Sequence, residues 1–431
     1  YLHHIFLYIK IVHRIYYKIL RKAGIPMSTA AIIAEYNPFH TGHLYQIEEV
    51  RKHTNAEHIL IIMSGNYVQR GCPAVFDKYT RTKMALNCGC DAVIELPVYY
   101  ACASAEYFAK GAVNLIEQCG CVDYVCFGCE TENLSLISDI ADILINETEQ
   151  YKHNLKFHIK SGKPFAVSRT NAILSCLSGC CQEEAAKILS SPNCILAIEY
   201  IKALKFFNSD ITPVIIKREQ SYHSMSLNND FASASAIRKG IFNNSTDVTK
   251  FIPPQCLDIF RTGHAMSEND FSDYLLHSII YGNNLYDYFD VSEFMANSIL
   301  KNTDKYCIFS DLAYSISGKH TTTTHSYRGL LHILLKIYKN EITEYINHDY
   351  NMYIRLLGFR KSHSNLLSEL NKNSSLPIIS KMSDAHRLLS EDALNMLIHN
   401  VKCDNLYRIT MQKKYNLTNV KNEYNTGIIV V

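Results

Sequence analysis

Short apolar runs alternate with helix-like runs between Ser28 and about Glu130, and this alternation constrains the fold more than any other feature of the sequence. The apolar runs are Ala30–Ala34, His58–Met63, Ala92–Leu96 and Val122–Phe127, and the helix-like runs are Gly42–Arg51, Asp77–Asn87 and Ser104–Gln118. Such an order is typical of a parallel sheet whose strands are joined by crossover helices. The sequence therefore predicts a Rossmann-like α/β fold, extended by a later strand at Thr212–Ile216.

A His-x-Gly-His signature, His40 to His43, stands between the first apolar run and the first helix-like run. A helix start offers unpaired N–H groups and the positive end of the helix dipole, and Gly42 lets a phosphate come close to the backbone. The 19 His of the chain make chance pairs common, so both imidazoles could also lie on an ordinary turn. The preceding strand and the Asn37-Pro38 turn signal favour the phosphate site.

Polar segments also follow the second and fourth predicted strands. They are Ser64-Gly65-Asn66, Gln69-Arg70-Gly71 and the region of Gly128. Because ligands bind beside the carboxyl ends of parallel strands, we expect these segments to converge at one edge of the sheet.

A second phosphate contact is predicted downstream of the fifth strand. Ser233 and Ser235 precede Arg238 at a helix start, an arrangement that suits an anion. Alternatively, one of the two serines is an ordinary N-cap and Arg238 is solvated. Taken alone, the segment favours this alternative; it favours a phosphate contact if it lies beside the His-x-Gly-His turn.

Length and composition predict a globular chain of two or three domains, with 431 residues and 47% hydrophobic content. We place an α/β domain at residues 27–250 and an all-helical domain at residues 251–431, where helical patterns replace strand patterns. Net charge is only +2, and it gives no support of its own to a nucleic-acid partner.

The 15 cysteines are scattered, and their spacing predicts no metal site. Cys126 and Cys129 form an isolated Cys-x-x-Cys pair at the end of a strand, which is weak evidence for redox or metal chemistry. The pattern favours buried, reduced thiols in a cytoplasmic protein.

Residues 1–26 are apolar, aromatic and basic, but charges interrupt them too often for a membrane-spanning helix, which needs about 20 apolar residues. We expect no membrane partner, although the segment could form an amphipathic helix at a membrane surface. The segment also lacks a signal-peptide cleavage pattern. Because the chain opens with Tyr1 and Met27 stands just before the first strand, we interpret residues 1–26 as a non-native upstream extension.

The longer segment Ile32 to Tyr45 resembles the opening of the bacterial tRNA(Met) cytidine acetate ligase family, part of the His-x-Gly-His nucleotidyltransferase superfamily. Similar segments continue in the same order along most of the chain from Met27. They are Ser64–Gly71, Val93–Pro97, Phe127-Gly128 with Glu130, Pro192-Asn193 with Glu199-Tyr200, Ser233–Arg238, Leu356–Phe359 and Leu376–Ile379.

This resemblance implies a two-step ligase. ATP and acetate would give acetyl-adenylate and pyrophosphate, and the acetyl group would then pass to N4 of the wobble cytidine, C34, of elongator tRNA(Met). ATP is the implied nucleotide substrate, with Mg²⁺ expected as its counter-ion and no protein ligand for the ion named. Residues 27–250 would then be the nucleotidyltransferase-like catalytic domain, and the helical domain at residues 251–431 would be the tRNA-binding part.

The resemblance also assigns ATP contacts to particular residues. They are Ile33, Glu35, Asn37, His40, Gly42, His43, Gln46, Gly128, Asn193 and Arg218. His40 and His43 are expected to be catalytic by stabilising the phosphates and the departing pyrophosphate. Without the resemblance, Asn193 would be interpreted as a turn residue and Arg218 as a solvated charge.

Three positions depart from the family pattern, because Cys129 stands for Ser, Ala197 for Gly and His325 for Arg. His325 follows the threonine run at residues 321–324. The change from Arg to His puts an RNA contact by this run in doubt, since a neutral imidazole lacks a fixed charge. Two other functions stay open: a nucleotidyltransferase that joins a nucleotide to a phosphorylated small molecule, and a non-enzymatic RNA-binding protein with a decayed site.

Overall fold

The computed structural model describes residues 28–218, 232–243, 247–282, 284–318 and 321–431. The predicted upstream extension, residues 1–26, lies outside these ranges. Within them the strands are β1 (Thr29–Ala34), β2 (His58–Ser64), β3 (Tyr67–Val68), β4 (Cys72–Pro73), β5 (Ala92–Leu96), β6 (Tyr124–Cys129), β7 (Thr212–Lys217), β8 (Ile354–Phe359), β9 (Ile378–Ile379) and β10 (Ile429–Val430).

Eight of these strands form one sheet in the order β10-β8-β5-β2-β1-β6-β7, with β9 paired to β8. All pairs are parallel except β5 with β8, and β3 and β4 make a separate antiparallel pair. The predicted parallel sheet with crossover helices is confirmed, and all five strands expected from the sequence lie within two residues of their predicted bounds.

Helices cover both faces of the sheet. In chain order they are α1 (Thr41–Thr54), α2 (Lys78–Asn87), α3 (Val98–Ala101), α4 (Ala105–Cys119), α5 (Leu134–Asn146), α6 (Glu149–Lys160), α7 (Phe165–Leu174), α8 (Gln182–Ser190), α9 (Pro192–Phe206), α10 (Ala234–Asn243), α11 (Leu257–Thr262), α12 (Ser272–Tyr281), α13 (Glu293–Thr303), α14 (Phe309–Ser315), α15 (Thr323–Leu335), α16 (Lys339–Asn347), α17 (Asn365–Asn373), α18 (Ala385–Leu388) and α19 (Glu391–Tyr415). None of them combines the length and the apolar character that crossing a bilayer requires.

The central strands are buried on both faces, as their continuous apolar sequence predicts. In β1, Ala31 and Ile33 belong to one hydrophobic cluster and Ala30 and Ile32 to another. This alternation follows from the two-residue side-chain period of a strand. Both faces of β1 therefore need helices, and its carboxyl end is left as the open edge.

The region after residue 250 is helical, as expected, but it is not all-helical. It contributes β8, β9 and β10, and β8 pairs with β5 of the main sheet. The sequence pattern did not predict β8, because six mostly apolar residues are compatible with either a buried strand or a helix segment.

A buried charge cluster joins the C-terminal region to the sheet. Lys78, the first residue of α2, places Nζ 3.0 Å from Glu95 of β5, 2.6 Å from Asp404 of α19 and 3.0 Å from Glu423. Burial by itself would lower the pKa of Lys78, but the three carboxylates raise it well above its ordinary value. The ammonium therefore stays charged and fixes three distant segments in one place.

Candidate active site

A cavity of about 340 Å³ opens at the carboxyl ends of β1 and β6 and beside the end of β7. The chain runs from β1 to β2 on one side and β6 lies on the other, so this is a point where the strand order reverses. Open α/β sheets bind ligands at such points. The lining residues are Ile33, Ala34, Glu35, Tyr36, Asn37, His40, His43, Gln46, Gln69, Arg70, Ala105, Phe108, Phe127, Gly128, Pro192, Asn193, Ile195, Leu196, Tyr200, Arg218, Ser233, Ala234, Ser235 and Arg238.

The two motif histidines stand side by side at the start of α1. His40 is the N-cap, and its Nδ1 accepts a hydrogen bond from the Gly42 N–H at 3.0 Å. His43 Nδ1 accepts from the His40 N–H at 3.3 Å, so the pair forms a reciprocal capping box. The ring centroids are 3.9 Å apart. Because each Nδ1 is an acceptor, the neutral tautomer of both rings carries its proton on Nε2.

Both imidazoles are held neutral. Burial lowers the pKa of His40 to about 3, helped by the charges of Arg218 and Arg238. Burial also lowers the pKa of His43 well below its usual value, with contributions from His40 and Arg218. The site therefore offers two Nε2–H donors rather than two imidazolium charges, and the positive charge comes from the guanidinium groups.

Gly42 gives the ring of His40 the space that it occupies. A Cβ at this position would lie 2.8 Å from Cε1 and 3.0 Å from Nδ1 of His40, closer than real contacts allow. The absence of a side chain lets the capping ring of His40 lie over the first turn. Gly42 is not among the residues that line the cavity, and its expected contact with a phosphate stays a prediction.

Gly128 serves a similar purpose for Arg218. Arg218 follows β7, and its N–H donates to the Cys129 carbonyl at 2.9 Å, which continues the pairing of β6 with β7. A Cβ on Gly128 would lie 3.3 Å from Cγ and Cδ of Arg218. The sequence predicted close approach of the nucleotide at Gly128, and the structure adds close approach of the arginine side chain.

Glu130 holds Asn193 and Arg218 together, and sequence reasoning did not assign it a role. Its Oε1 accepts from Asn193 Nδ2 at 2.7 Å and lies 4.0 Å from Arg218 Nε, while its other oxygen accepts from Ser191. Burial raises the pKa of Glu130, but these hydrogen bonds and Arg218 outweigh it and lower the pKa overall. The signal available in the sequence was a carboxylate two residues after Gly128, at the end of a buried strand.

The second predicted phosphate segment joins the first one. Arg238 Nη1 donates to the Asn37 carbonyl at 2.7 Å, and Arg238 Nη2 donates to Ser235 Oγ at 2.9 Å. Ser233 Oγ accepts from the Ala236 N–H, so it also acts as the N-cap expected in the alternative interpretation. The structure thus brings Ser233, Ser235 and Arg238 to the cavity although 13 undescribed residues separate Arg218 from Ala232.

Two residues of the entry segment support the loops around the cavity. Asn37 Oδ1 accepts from the Val75 N–H at 2.7 Å, and Glu35 Oε1 accepts from the Gln69 N–H at 2.9 Å. The second bond positions Gln69 and Arg70, which line the cavity and were expected there as a polar loop. Asn66 of the other expected loop lies elsewhere, since it bonds Asp404 and the Lys78 N–H.

One wall of the cavity is apolar. Sequence reasoning did not assign these residues, which come from α4, β6 and α9. They are Phe108, Phe127, Ile195, Leu196 and Tyr200. Flat apolar walls with a few polar groups are typical of nucleotide and small-molecule sites. Ile33 and Gln46, which the sequence assigned to the nucleotide, complete the lining.

The two cysteines of the Cys-x-x-Cys pair, Cys126 and Cys129, do not contact each other in a shared site. Cys126 packs in one hydrophobic cluster and Cys129 in the other, because a spacing of three places them on opposite faces of β6. Cys129 Sγ instead lies 2.9 Å from Sγ of Cys194 on α9. Cys129, Glu130 and Cys194 also hold one potential ligand atom each within 4.8 Å of one another.

His325, the third departure, lies away from the cavity. Its Nε2 is 2.8 Å from the Asp290 carbonyl, and Arg328 Nε donates to the Asp290 carboxylate at 2.9 Å. Thr322 is the N-cap of α15, so the Thr-rich run starts a helix and is not wholly a loop. His325 acts within the helical region by bonding a neighbouring backbone group.

Comparison with known proteins gives a consistent result. The profile of the HIGH Nucleotidyl Transferase family matches residues 27–423. The tRNA(Met) cytidine acetate ligase of Thermoanaerobacter sp. (strain X514) is 41% identical over 371 residues, which cover 84% of this chain and 91% of the relative. The enzyme of the same name from Halothermothrix orenii is 36% identical over 392 residues, covering 88% and 93%.

Solved structures of Thermotoga maritima TmcAL share the fold. The form bound with alpha-thio ATP has a TM-score of 0.85, and the apo form has a TM-score of 0.87. Each is 27% identical in sequence and covers 94% of this chain and 100% of the other chain.

Proposed function

Because this chain belongs to the tRNA(Met) cytidine acetate ligase family of HIGH nucleotidyl transferases, we propose that it activates acetate with ATP and acetylates elongator tRNA(Met). In the first step acetate attacks the α-phosphorus of ATP, and acetyl-adenylate and pyrophosphate form. In the second step N4 of cytidine C34 attacks the acetyl carbonyl, and AMP leaves. The substrate, a tRNA, is the reason to place the reaction in the cytoplasm.

The single observation that carries this proposal is the pair of neutral, backbone-locked imidazoles beside the three arginines of one cavity. Negative charge grows on the leaving pyrophosphate as the α-phosphorus is attacked, and fixed donors stabilise it without reorganising. We assign this task to Nε2–H of His40 and His43 and to the positive end of α1. Arg218 and Arg238 add fixed positive charge, and a planar guanidinium can bind two oxygens at once.

The remaining cavity residues orient the substrates. The apolar wall beside Tyr200 and Leu196 would hold the adenine, and Asn193 can donate to and accept from it. Glu130 fixes the position of Asn193 through their 2.7 Å hydrogen bond. Acetate would lie beside Arg70 or Arg218, where a guanidinium can neutralise the carboxylate before it attacks.

Mg²⁺ would enter with ATP. Among the described residues lining the cavity, Glu35 is the one carboxylate, and hard oxygen ligands are those Mg²⁺ prefers. Glu35 would therefore hold the ion together with phosphate oxygens and water. When bound, the ion supplies further neutralisation of the phosphate charge.

Acetate-dependent exchange of labelled pyrophosphate into ATP tests the first step. We expect exchange in the intact protein and a loss of at least about 100-fold in His43→Ala, as for removal of one transition-state donor. His53→Ala is the matched control, because His53 belongs to the same helix but its side chain is 52% exposed. Exchange without acetate would favour transfer of a nucleotide to another acceptor and would contradict the proposal.

Nucleoside analysis tests the second step. Elongator tRNA(Met) incubated with the protein, ATP and acetate should yield N4-acetylcytidine, and omission of acetate should abolish it. Binding of tRNA without either reaction would favour the non-enzymatic alternative.

A further inference from the structure

Two buried thiols lie beside the nucleotide cavity and take no part in the proposed reaction. Cys129 ends β6, and Cys194 lies in the first turn of α9, with 2.9 Å between their Sγ atoms. Both residues are at most 1% exposed. Each directly follows a residue that lines the cavity, Gly128 and Asn193 respectively.

The local geometry favours a covalent bond between the thiols over a shared metal ion. Two thiolates at about 2.3 Å from a tetrahedral zinc ion lie roughly 3.8 Å apart, well beyond the separation seen here. The third candidate ligand, Glu130, already accepts hydrogen bonds from Ser191, Asn193 and the Cys194 thiol. A disulfide requires an S–S distance of about 2.05 Å, so the sulfurs would have to approach by less than about 1 Å.

The two sulfurs are not chemically equivalent. Hydrogen bonding from Cys129 lowers the pKa of the Cys194 thiol below its ordinary value, and Ser191 contributes in the same direction, against the opposing effects of burial and of the thiol's hydrogen bond to Glu130. Cys194 also lies at a helix N-terminus, where the dipole favours a thiolate. Cys194 is therefore the nucleophile of the pair, and Cys129 is the thiol that would resolve its oxidised form.

We propose that Cys129 and Cys194 form a reversible disulfide that weakens nucleotide binding in the adjacent cavity. With hydrogen peroxide as the oxidant, the Cys194 thiolate attacks one peroxide oxygen, the O–O bond breaks, and a sulfenic acid and water are formed. The Cys129 sulfur then attacks the sulfenic sulfur, the S–O bond breaks, and a second water leaves. Two thiols and one peroxide thus become one disulfide and two waters, and a dithiol reverses the change.

The disulfide would act on the cavity through Glu130 and α9. It removes the thiol hydrogen bond from Cys194 to Glu130, which spans 3.2 Å. It also draws the first turn of α9 toward β6, and Asn193 lies in that turn. Because Glu130 positions Asn193 and faces Arg218, these small shifts reach two proposed nucleotide contacts. This consequence rests on the proposed function, whereas disulfide formation itself does not.

The experiment uses the full chain, reduced or treated with hydrogen peroxide. Non-reducing peptide mass mapping should detect a peptide linking Cys129 to Cys194, two hydrogens lighter than the free pair. Calorimetry with a non-hydrolysable ATP analogue should show at least about 10-fold weaker binding after oxidation, restored by dithiothreitol.

Cysteine variants test whether the response to peroxide comes from Cys129 and Cys194 or from other thiols of the chain. Cys129→Ser should bind nucleotide like the reduced protein and lose both the linked peptide and the response to peroxide, and Cys194→Ser should also fail to form the linkage. Cys88→Ser is the matched control, since Cys88 and Cys256 form another buried pair with Sγ atoms 3.3 Å apart, and it should keep the response.

Three results would overturn the inference: no linked peptide in the folded protein, a linked peptide with unchanged nucleotide affinity, or a reversible loss of affinity that persists in Cys129→Ser. Failure of the proposed function gives a different result, namely no acetate-dependent exchange in the reduced protein. Peptide mapping would still report on the thiol pair in that case.

Discussion

At the residue scale, the site depends on side chains whose protonation and orientation are fixed by the backbone. His40 and His43 cap α1 through Nδ1, which leaves Nε2–H as the donor of each ring. A charged imidazole would lose the Nδ1 acceptor and would be repelled by Arg218. The geometry therefore leaves Nε2–H of each neutral ring available as a donor, as the proposed role of the two histidines requires.

The pKa of His40 predicts how stability changes with pH. It is about 3 in the folded protein and about 6.5 when unfolded, so between these values the unfolded chain binds more protons. Stability is therefore fully present above pH 6.5 and is lost as pH falls toward 3. From pH 7 to pH 5 the free energy of unfolding should fall by about 2 kcal/mol more in the wild type than in His40→Asn. Urea unfolding at both pH values measures this, and equal losses in the two proteins would contradict it.

Gly128→Ala tests whether Arg218 needs the space over β6. The added methyl would meet the Arg218 side chain at 3.3 Å and displace its guanidinium. We expect nucleotide affinity to fall by about 10-fold, equivalent to about 1.4 kcal/mol. Gly179→Ala is the control, because a Cβ there has no neighbour within 4 Å, and its affinity should not change. An unchanged affinity in Gly128→Ala would contradict this role.

At the element scale, the carboxyl ends of β1, β6 and β7 form the candidate site, and the Lys78 cluster joins other elements at the carboxyl end of β5. Lys78 of α2 contacts β5, α19 and the segment around Glu423. Because β5 pairs with β8, the cluster and the strand pair together bind the C-terminal region to the sheet.

Asp404→Ala should show how much this cluster contributes. The substitution removes the 2.6 Å contact to Lys78 and the acceptor for Asn66 and Asn400 inside the protein. Breaking a buried ion pair costs about 3–5 kcal/mol. Asp273→Ala is the control, because it removes an exposed ion pair with Lys413 at 3.5 Å. Its free energy of unfolding should differ from that of the wild type by no more than about 0.5 kcal/mol. Denaturant unfolding compares the two, and similar losses would contradict the structural role of the cluster.

At the scale of the whole molecule, the sheet is completed by strands from both ends of the chain. β8 covers the edge of β5, and β10 in turn pairs with β8. The division at residue 250 stays a prediction, but the pairing has a consequence for the two parts. The first part alone lacks the partner strand of β5 and the Lys78 partners Asp404 and Glu423.

A fragment of residues 27–250 should therefore not fold cooperatively by itself. It would expose the edge of β5 and leave Lys78 with Glu95 as the remaining carboxylate of the cluster. We expect a broad thermal transition and binding of a hydrophobic dye, in contrast to the sharp transition of the full chain. A sharp transition in the fragment would show that residues 251–431 are not needed for the fold.

Sequence periodicity predicted β1, β2, β5, β6 and β7 because buried parallel strands are continuous apolar runs separated by helical ones. It also predicted α1 from Gly42 onward, since the His40 motif supplies the cap. It did not predict β8, because pairing with β5 joins residues more than 250 positions apart. The sequence between Asp384 and Leu397 has a continuous helical pattern, but the structure has two helices there, α18 and the start of α19, separated by Leu389 and the N-cap Ser390.

The candidate site was predictable wherever a residue type has a local reason. His40, Gly42 and His43 form a short signature in the sequence itself, whereas Arg218 was assigned only through the family resemblance. Glu130 and the apolar wall could not be predicted in this way, because their contacts form between elements that are distant in the sequence. The same holds for Cys129, whose partner is Cys194 on α9 rather than Cys126 three residues away.

The sequence by itself determined the class of fold, the position of the His-x-Gly-His turn and the family of the chain, because these depend on local periodicity and on contiguous motifs. The tertiary structure decided the protonation state of His40 and His43, the contact between Arg238 and Asn37, and the hydrogen bond from Asn193 to Glu130. Burial and charge at a point depend on every element that packs around it, and such elements come from all parts of the chain. That is why the sequence identified a site for a nucleotide, and only the folded chain shows how its residues act together.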